Sequence, residues 1–251
     1  MVSKYLNYLI MFFVVVFLFI SFQVNAQELD DIRYMTEQFP PYNFEEDGEL
    51  KGITVDILRE IFEKENINAE IELLPWAQGY SRLKEKENTA LFGTTRTKER
   101  EDMFRWVGQV ANQTIGIIAK KDSDISLKSL ENIKNYDIGT VREDAAEQLL
   151  LDEGISEREL DRSSDIKSNI RKLDAGRIDL VSYTYEVFLQ EANKLGYNPG
   201  NFELVYIMDE YELYYAFNKN TSDETIKKMQ SILDELKVKG IVEDITNDYI
   251  K

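Results

Sequence analysis

The hydrophobic residues of this chain occur first as one uninterrupted run and afterwards in short segments. Residues 9–20 are all apolar (LIMFFVVVFLFI), Lys4 precedes them and Val24-Asn25-Ala26 follows. A basic start, a short apolar core and a small-residue exit are typical of a secretory signal peptide, so we expect export and cleavage after Ala26. An uncleaved membrane anchor is the alternative, because no charged residue falls between Tyr5 and Gln27 and the stretch is just long enough to span a bilayer.

Beyond residue 27 the apolar positions alternate between the periods of strands and helices. Strands are expected at 32–35, 70–74, 90–94, 104–107, 115–119, 137–139, 178–183, 202–207 and 213–217. Helices are expected at 54–66, 78–86, 129–132, 140–153, 165–175, 186–195, 221–239 and 241–249. Such alternation throughout a chain implies an α/β fold with mostly parallel sheets.

Local signals add detail at three threonines and one proline pair. Thr54 stands where a helix is expected to begin, and Thr140 and Thr221 are each followed by Glu three positions later. Thr followed by Glu at this spacing forms a capping box, so we expect these threonines to cap their helices. Two prolines within 39–44 (FPPYNF) predict extended backbone there.

The composition limits the chemistry that the chain can perform. Of its 251 residues 47 are acidic and 30 are basic, and neither Cys nor His occurs. The resulting charge of −17 opposes binding to nucleic acid or to anionic lipid. Disulfides, Cys or His zinc sites, Ser-His-Asp triads and Cys nucleophiles are excluded, whereas a catalytic pair of carboxylates is not.

Two Gly-Thr segments follow expected strands. Gly93-Thr94-Thr95 leads into 97–100 (TKER), and Gly139-Thr140 opens an expected helix. Ligands of open α/β sheets bind beyond the carboxyl ends of the strands, where helix N-termini point. The hydroxyls and free backbone N–H groups of these segments suit an anion such as a carboxylate.

Five motifs, taken in their order along the chain, resemble the family 3 extracellular solute-binding proteins, which are the polar amino-acid receptors of ABC importers. They are 39–44 (FPPYNF), 52–57 (GITVDI), 74–76 (LPW), 93–100 (GTTRTKER) and 139–140 (GT). The resemblance covers about residues 29–250. It implies a two-lobed clamshell with a small-molecule ligand between the lobes, each lobe being a mostly parallel sheet flanked by helices.

The same resemblance implies how the chain is divided and where it works. One lobe would hold residues 27–115 and 212–251, and the other residues 116–211. The expected protein is a monomeric binding protein without enzyme activity, cofactor or metal, and its partner is an ABC permease in the inner membrane. Because no Cys near residue 26 is available for lipidation, we expect a free periplasmic protein.

The resemblance also assigns candidate ligand contacts in the first lobe. Arg100 falls where the family binds the ligand's α-carboxylate, and a guanidinium matches a carboxylate with two parallel hydrogen bonds. Thr95 supplies a hydroxyl beside it, and Trp76, Phe39 and Tyr42 supply aromatic faces. The structural alternatives are a solvated helix charge for Arg100 and core packing for the aromatic residues.

Further candidates lie mainly in the second lobe. Thr140 and residues near Tyr183 would close over the ligand, whereas Arg142 is expected either at the cleft or in solvent. Glu37 follows the first strand, and it would either meet a cationic group or lie on the surface.

The chain departs from the family at one position. Amino-acid-binding members carry an Asp after the strand that follows the G-x-x-D turn, where it holds the α-ammonium. Here residues 182–185 (SYTY) follow that turn, and the next carboxylate is Glu186. Either Glu37, Asp209 or Glu210 takes this role, or the ligand is not a standard α-amino acid.

Two rival functions remain open at this point. A dehydratase of the same fold would use Glu37 or Glu186 as its acid. A sensory binding protein would present its ligand to a membrane receptor kinase.

Overall fold

The computed structural model describes residues 29–249, so the expected signal peptide lies outside the described residues. The described residues form ten strands: β1 Arg33–Thr36, β2 Phe44–Glu46, β3 Glu49–Lys51, β4 Ile71–Leu73, β5 Thr89–Thr95, β6 Phe104–Lys120, β7 Ile138–Val141, β8 Leu160–Ser163, β9 Leu180–Thr184 and β10 Phe202–Asn218. In the same part of the chain seven α-helices accompany them: α1 Ile53–Glu65, α2 Trp76–Glu85, α3 Ala145–Asp152, α4 Ile166–Asp174, α5 Tyr185–Lys194, α6 Asp223–Val238 and α7 Ile241–Tyr249. Short 3-10 helices occur at Leu29–Asp31, Lys121–Ser123, Leu130–Asn135, Glu157–Glu159 and Pro199–Asn201.

Eight of these strands form one sheet in the order β4-β1-β5-β10-β6-β9-β7-β8, and β2 and β3 form a separate hairpin. The sheet is parallel at both ends, where β1 pairs with β4 and β5, and β7 pairs with β8 and β9. The central pairs are antiparallel. Helices flank the sheet, so the expected α/β architecture is confirmed.

Two 17-residue strands lie in the middle of the sheet, and here the expected elements were wrong. The sequence predicted four separate strands at 104–107, 115–119, 202–207 and 213–217, whereas the structure has two, β6 and β10. They pair with each other from Phe104↔Asn218 to Lys120↔Phe202. Most of the polar residues between the apolar segments stay in the ladder, and Gln109 falls at a register shift. The backbone hydrogen bonds of a partner strand do not depend on side-chain polarity.

The two halves of the sheet are distinguished by what β6 and β10 pair with. The Leu213–Phe217 part of β10 pairs with β5, and the Ile115–Ala119 part of β6 pairs with β9. We call the part containing β1, β4 and β5 the first half and the part containing β7, β8 and β9 the second half. The pairing changes near residues 115 and 212, which supports the expected lobe limits, although those limits stay a prediction.

Three of the expected helix caps were wrong, and each helix begins a few residues away. Helix α1 begins after Gly52, whose φ of +123° suits glycine alone. Helix α3 is capped by Asp144, which accepts a hydrogen bond from the N–H of Ala146, and Ser222 caps α6. Asp and Ser are as good at the cap as Thr, so a nearby competitor displaced the predicted residue in two cases.

The segment 39–44 is also not extended as predicted. Its backbone turns back on itself, with the N–H of Tyr42 donating to the carbonyl of Phe39 and the N–H of Phe39 to the carbonyl of Asn43. Gly93 in β5 lies directly against this turn, where a Cβ would stand 2.1 Å from Asn43 Oδ1. The close approach fixes the turn at the carboxyl end of β1, beside the cleft.

The buried residues surround the sheet on both faces. The largest cluster takes in residues of both halves, among them Tyr34, Ile57, Phe92, Phe188 and Phe217, which are all fully buried. Within residues 29–249 no helix is long and apolar enough to cross a membrane.

Candidate ligand-binding site

A cavity of about 490 Å³ lies between the two halves, which is within the usual range for small-molecule sites. It opens at the carboxyl ends of β1, β4, β7, β8 and β9, as expected for a parallel α/β sheet. Its wall from the first half consists of Glu37, Gln38, Leu73, Leu74, Pro75 and Trp76. Its wall from the second half consists of Val141, Ser164, Asp165, Ile166, Lys167, Arg171, Tyr183 and Glu191.

Arg100 lies at the junction of the two halves and is only 2 % exposed. Its guanidinium carbon is 5.1 Å from the centre of the Trp76 ring and 4.9 Å from that of Tyr80, so two aromatic faces hold it. Nη1 donates to the carbonyl of Thr95 at 3.4 Å and Nη2 to the carbonyl of Glu143 at 2.7 Å. Nε has no hydrogen-bond partner among the described residues, which leaves one buried donor for a further acceptor.

The carbonyl of Glu143 receives two donors from the opposite half. Besides Arg100, the indole Nε1 of Trp76 donates to it at 2.8 Å. Glu143 has a φ of +62°, which is uncommon for a residue other than glycine and turns its carbonyl towards the first half. Its amide donates to Glu147 Oε2 at 2.9 Å, and this bond supports the turn.

A second connection between the halves passes through Gln113 in β6. Its Nε2 donates to Thr95 Oγ1 at 2.6 Å, and its Oε1 accepts from Thr184 Oγ1 at 2.8 Å. All three side chains are buried. The Thr95 hydroxyl is therefore the acceptor in this connection.

Two buried carboxylates face the region around Arg100. Burial raises the pKa of Glu37 well above its usual value, and the charge of Asp144 adds to this rise while Arg100 opposes it. Burial also raises the pKa of Asp144 to about 6. Hydrogen bonds from the backbone of Ala146 and Ala145 and the charge of Arg100 act in the opposite direction and lower it. Carboxyl groups in such surroundings gain from a nearby cation.

Tyr183 is one of the residues that line the cavity. It is 2 % exposed, and the ring of Phe39 is edge-on to its ring, with the two ring centres 6.1 Å apart. Burial raises the pKa of the Tyr183 hydroxyl well above its usual value, so this group stays a neutral hydrogen-bond donor.

Thr140 does not cap a helix but belongs to a buried polar network. It ends β7 with Val141, is fully buried, and donates to Glu147 Oε1 at 2.9 Å. Arg162 binds both oxygens of Glu147, at 2.7 and 2.9 Å. This network fixes the 140–147 segment, and with it the carbonyl of Glu143.

The remaining expected residues divide between the site and its surroundings. Phe39 and Tyr42 are both buried, and the centres of their rings are 5.5 Å apart. The Tyr42 hydroxyl donates to the carbonyl of Asn112. Arg142 is exposed and is not part of the cavity wall, so the structure has it in solvent. Among the expected residues, the cavity wall itself contains Glu37, Trp76 and Tyr183.

The acidic alternatives for an ammonium can now be compared. Asp209 and Glu210 are exposed on β10, and neither belongs to the cavity wall. Glu186 accepts a hydrogen bond from the N–H of Thr114 at 3.1 Å. Glu37 is the one among these that lines the cavity.

Several residues of the site were missed by the sequence analysis. Gln113, Asp144 and Glu191 carry no motif, although Glu191 shares the buried face of α5 with Val187, Phe188 and Ala192. An acid on the apolar face of a helix is an anomaly that periodicity alone can detect. Among the described residues, no group of acids is arranged to hold a metal ion.

The fold is that of a two-lobed α/β binding protein, with a cavity between its two halves. Residues 32–251 match the model of the bacterial extracellular solute-binding proteins, family 3, and the chain belongs to this family. The expected resemblance is therefore confirmed.

Similar proteins have been described as binding proteins and as a sensor. The probable amino-acid-binding protein YxeM of Bacillus subtilis is 21 % identical over 234 residues, which cover 90 % of this chain and 86 % of YxeM. A histidine kinase sensor domain with similarity to periplasmic binding proteins superposes with a TM-score of 0.78 at 20 % identity, covering 87 % of this chain and 96 % of the domain. The arginine-, lysine-, histidine-binding protein ArtJ of Geobacillus stearothermophilus gives a TM-score of 0.72 at 18 % identity, covering 87 % of this chain and 95 % of ArtJ. At these identities the two structures show a shared fold.

Proposed function

We propose that this protein is an exported receptor that captures a small carboxylate-bearing solute, an amino acid or a relative, and delivers it to an ABC permease. The observation that carries the proposal is Arg100, whose guanidinium is buried between two aromatic rings at the junction of the halves. A buried cation requires an anionic partner or several acceptors. Here its bonds go to two neutral carbonyls, and Nε has none among the described residues.

A ligand carboxylate would complete this arrangement. It would accept from the guanidinium of Arg100 and from the hydroxyl of Thr95, which lies next to it in β5 and is held by Gln113. Hydrogen bonds between ionised partners are shorter and about twice as strong as neutral ones. Arg100 would then act as the main anchor, with Trp76 covering it.

Closure follows from contacts that exist only when the halves meet. Trp76 and Arg100 in the first half both bind the carbonyl of Glu143 in the second, and Gln113 connects Thr95 with Thr184. A ligand that contacts both walls favours this state by its differential affinity for it. The permease would recognise the closed form.

Export to the periplasm through a cleaved signal peptide and a monomeric state belong to the same proposal. Relatives of the family are named as amino-acid-binding proteins, which supports transport over catalysis. The fold is shared with a histidine kinase sensor domain, which keeps ligand presentation to a receptor kinase as the second candidate. A neighbouring permease gene would favour transport, and a neighbouring sensor-kinase gene would favour signalling.

A thermal-shift screen of amino acids and small organic acids tests the proposal. A cognate solute at a hundredfold excess over its dissociation constant stabilises the folded protein by about 2.7 kcal/mol. We expect at least one carboxylate-bearing solute to raise the melting temperature of the native protein and to leave that of Arg100→Ala unchanged. Arg177→Ala, which removes an exposed arginine outside the cavity wall, is the matched control and should behave as the native protein does.

Two results would contradict the proposal. A screen in which no such solute shifts the melting temperature would refute the small-ligand function. A solute that binds Arg100→Ala and the native protein with equal affinity in calorimetry would remove Arg100 from the site.

A further inference from the structure

Arg100 lies in the short segment that connects β5 with β6, and an ion pair closes this segment into a loop. Arg96 directly follows β5, and its Nε and Nη2 donate to the two carboxylate oxygens of Glu101 at 2.7 and 2.5 Å. Inside the loop, the N–H of Arg100 donates to the carbonyl and to the hydroxyl of Thr97. The ion pair and the turn that it encloses therefore form one unit, which we call the 96–101 clip.

Two aromatic rings from the central strands support the clip. The guanidinium carbon of Arg96 is 5.6 Å from the centre of the Trp106 ring in β6 and 5.1 Å from that of the Tyr214 ring in β10. The indole Nε1 of Trp106 donates to the carbonyl of Glu101 at 3.0 Å. The Tyr214 ring lies directly on Gly108, where a Cβ would stand 2.4 Å from Cδ1 of the ring. Both ends of the clip are thus attached to strands that the sheet itself holds in place.

This arrangement differs from an ordinary ion pair at the surface. The side chains of Arg96 and Glu101 are 34 % and 47 % exposed, and at such exposure a single ion pair contributes little to stability. Two parallel hydrogen bonds from a planar guanidinium add geometric specificity, however, and the contacts with the two rings favour the same position of Arg96. The clip is therefore suited to holding a turn in one geometry, and much less to stabilising the whole fold.

The turn determines where the guanidinium of Arg100 can lie. Its Nη1 and Nη2 donate to the carbonyls of Thr95 and Glu143, and its Nε has no partner among the described residues. A guanidinium donates two parallel bonds to a carboxylate in one mutual orientation, and binding groups have to be held to within about 0.5 Å of the productive geometry. The side chain of Arg100 can be held in this way only if the turn from which it projects is held.

We propose that Arg96 and Glu101 are positioning residues that act through Arg100 and set the affinity of the cleft for a carboxylate. The proposal rests on the proposed function, namely that Arg100 binds the carboxylate of a small solute. Neither Arg96 nor Glu101 belongs to the cavity wall, so both act only through the turn. Without the clip, Arg100 occupies several orientations, and only some of them can meet a carboxylate.

Amide hydrogen exchange, followed by NMR without any solute, tests whether the clip holds the turn. The reporters are the N–H groups of Arg100 and Met103, which donate to the carbonyls of Thr97 and Arg100. We expect both to exchange about tenfold faster in Arg96→Gln than in the native protein, because the turn opens locally. Lys98→Gln, which removes an exposed cation of the same turn, is the matched control and should leave both rates unchanged. Unchanged exchange in the strands of the sheet establishes that each variant is folded.

Titration with acetate tests whether the clip sets the affinity for a carboxylate. Acetate is the small carboxylate probe, and acetamide is its neutral counterpart of similar shape. We expect acetate, but not acetamide, to shift the NMR signal of the Arg100 Nε–H group in the native protein. The acetate dissociation constant should rise about fivefold in Arg96→Gln. Arg96→Lys keeps the charge but cannot form the two parallel bonds, so its dissociation constant should lie between these values.

The other member of the ion pair has its own matched control. Glu101→Gln removes the charge that Arg96 binds and should also raise the acetate dissociation constant. Asp102→Asn changes the neighbouring exposed acid and should bind acetate as the native protein does.

The outcomes separate this proposal from the one on which it rests. Unchanged exchange at Arg100 and Met103 in Arg96→Gln overturns the positioning role, and so does an acetate dissociation constant equal to that of the native protein. Neither result affects the carboxylate function, which the native protein alone decides. Should acetate leave the Arg100 signal of the native protein unmoved, the carboxylate function itself fails, and the effect of the clip on affinity falls with it.

Discussion

The charge state of Asp144 allows a quantitative test of the electrostatics of the cleft. Its carboxylate caps α3 and accepts from the N–H of Ala146 at 2.8 Å, yet it is only 8 % exposed. Burial is the largest influence on this group and raises its pKa from 3.8 to about 6. Replacement by Asn retains the cap, since Asn and Asp cap helices about equally well, and removes the titrating group.

The sign of the effect follows from the direction of the shift. Because the folded protein holds the Asp144 proton more tightly than the unfolded chain does, this group favours folding at low pH. Its contribution is fully present below the unfolded pKa of 3.8 and is lost as the pH rises through about 6. A rise of about two pKa units corresponds to about 3 kcal/mol of unfolding free energy between these limits.

Urea unfolding of the native protein and of Asp144→Asn at pH 5 and pH 7 measures this contribution. We subtract the unfolding free energy of the native protein from that of Asp144→Asn at each pH. This difference should be about 1 kcal/mol larger at pH 7 than at pH 5. Asp152→Asn, a change at an exposed acid of the same helix, is the control and should show no such gain. An equal difference between Asp144→Asn and the native protein at both pH values would refute a raised pKa for Asp144.

Two further predictions concern contacts between the halves. Gln113→Leu leaves the buried hydroxyls of Thr95 and Thr184 without their partner and should lower the unfolding free energy by about 2 kcal/mol; a loss in urea unfolding below about 0.5 kcal/mol would contradict the connection. Trp76→Phe removes one donor to the carbonyl of Glu143 but leaves Arg100 bound to it, so ligand affinity should fall about two- to tenfold. Calorimetry with the solute found in the thermal screen measures this, and an unchanged affinity would show that the indole N–H does not stabilise the closed form.

The order of the elements was largely readable from the sequence, because strand and helix periods are local properties of a few consecutive residues. Helix α7 was predicted with the limits that it has in the structure, Ile241–Tyr249, and α5 differs by one residue at each end. The errors occurred where two local signals compete. Asp144 displaced Thr140 as a cap, and Ser222 displaced Thr221, since neighbouring residues of similar capping strength cannot be ranked by sequence alone.

The long strands show a second kind of error. The sequence between Val107 and Ile115 is rich in polar residues, and it read as a break between strands. In the structure β10 pairs with most of it, although a register shift between Leu213 and Tyr214 leaves Gln109 and Val110 without partners. Pairing between residues so far apart in the chain is a tertiary property, which overrides the local preference.

The sequence by itself determined the α/β class and the family, and it made Arg100 a candidate anchor, since short motifs in a fixed order contain that information. Only the tertiary structure decided what surrounds these residues. It brought the carbonyl of Glu143 to Arg100 and Trp76 from another part of the chain, and it buried Glu191 without a hydrogen-bond partner among the described residues. Burial and contact distance depend on residues that are remote in sequence. The charges inside the cleft, and therefore the solute proposed for it, can be inferred only from the tertiary structure.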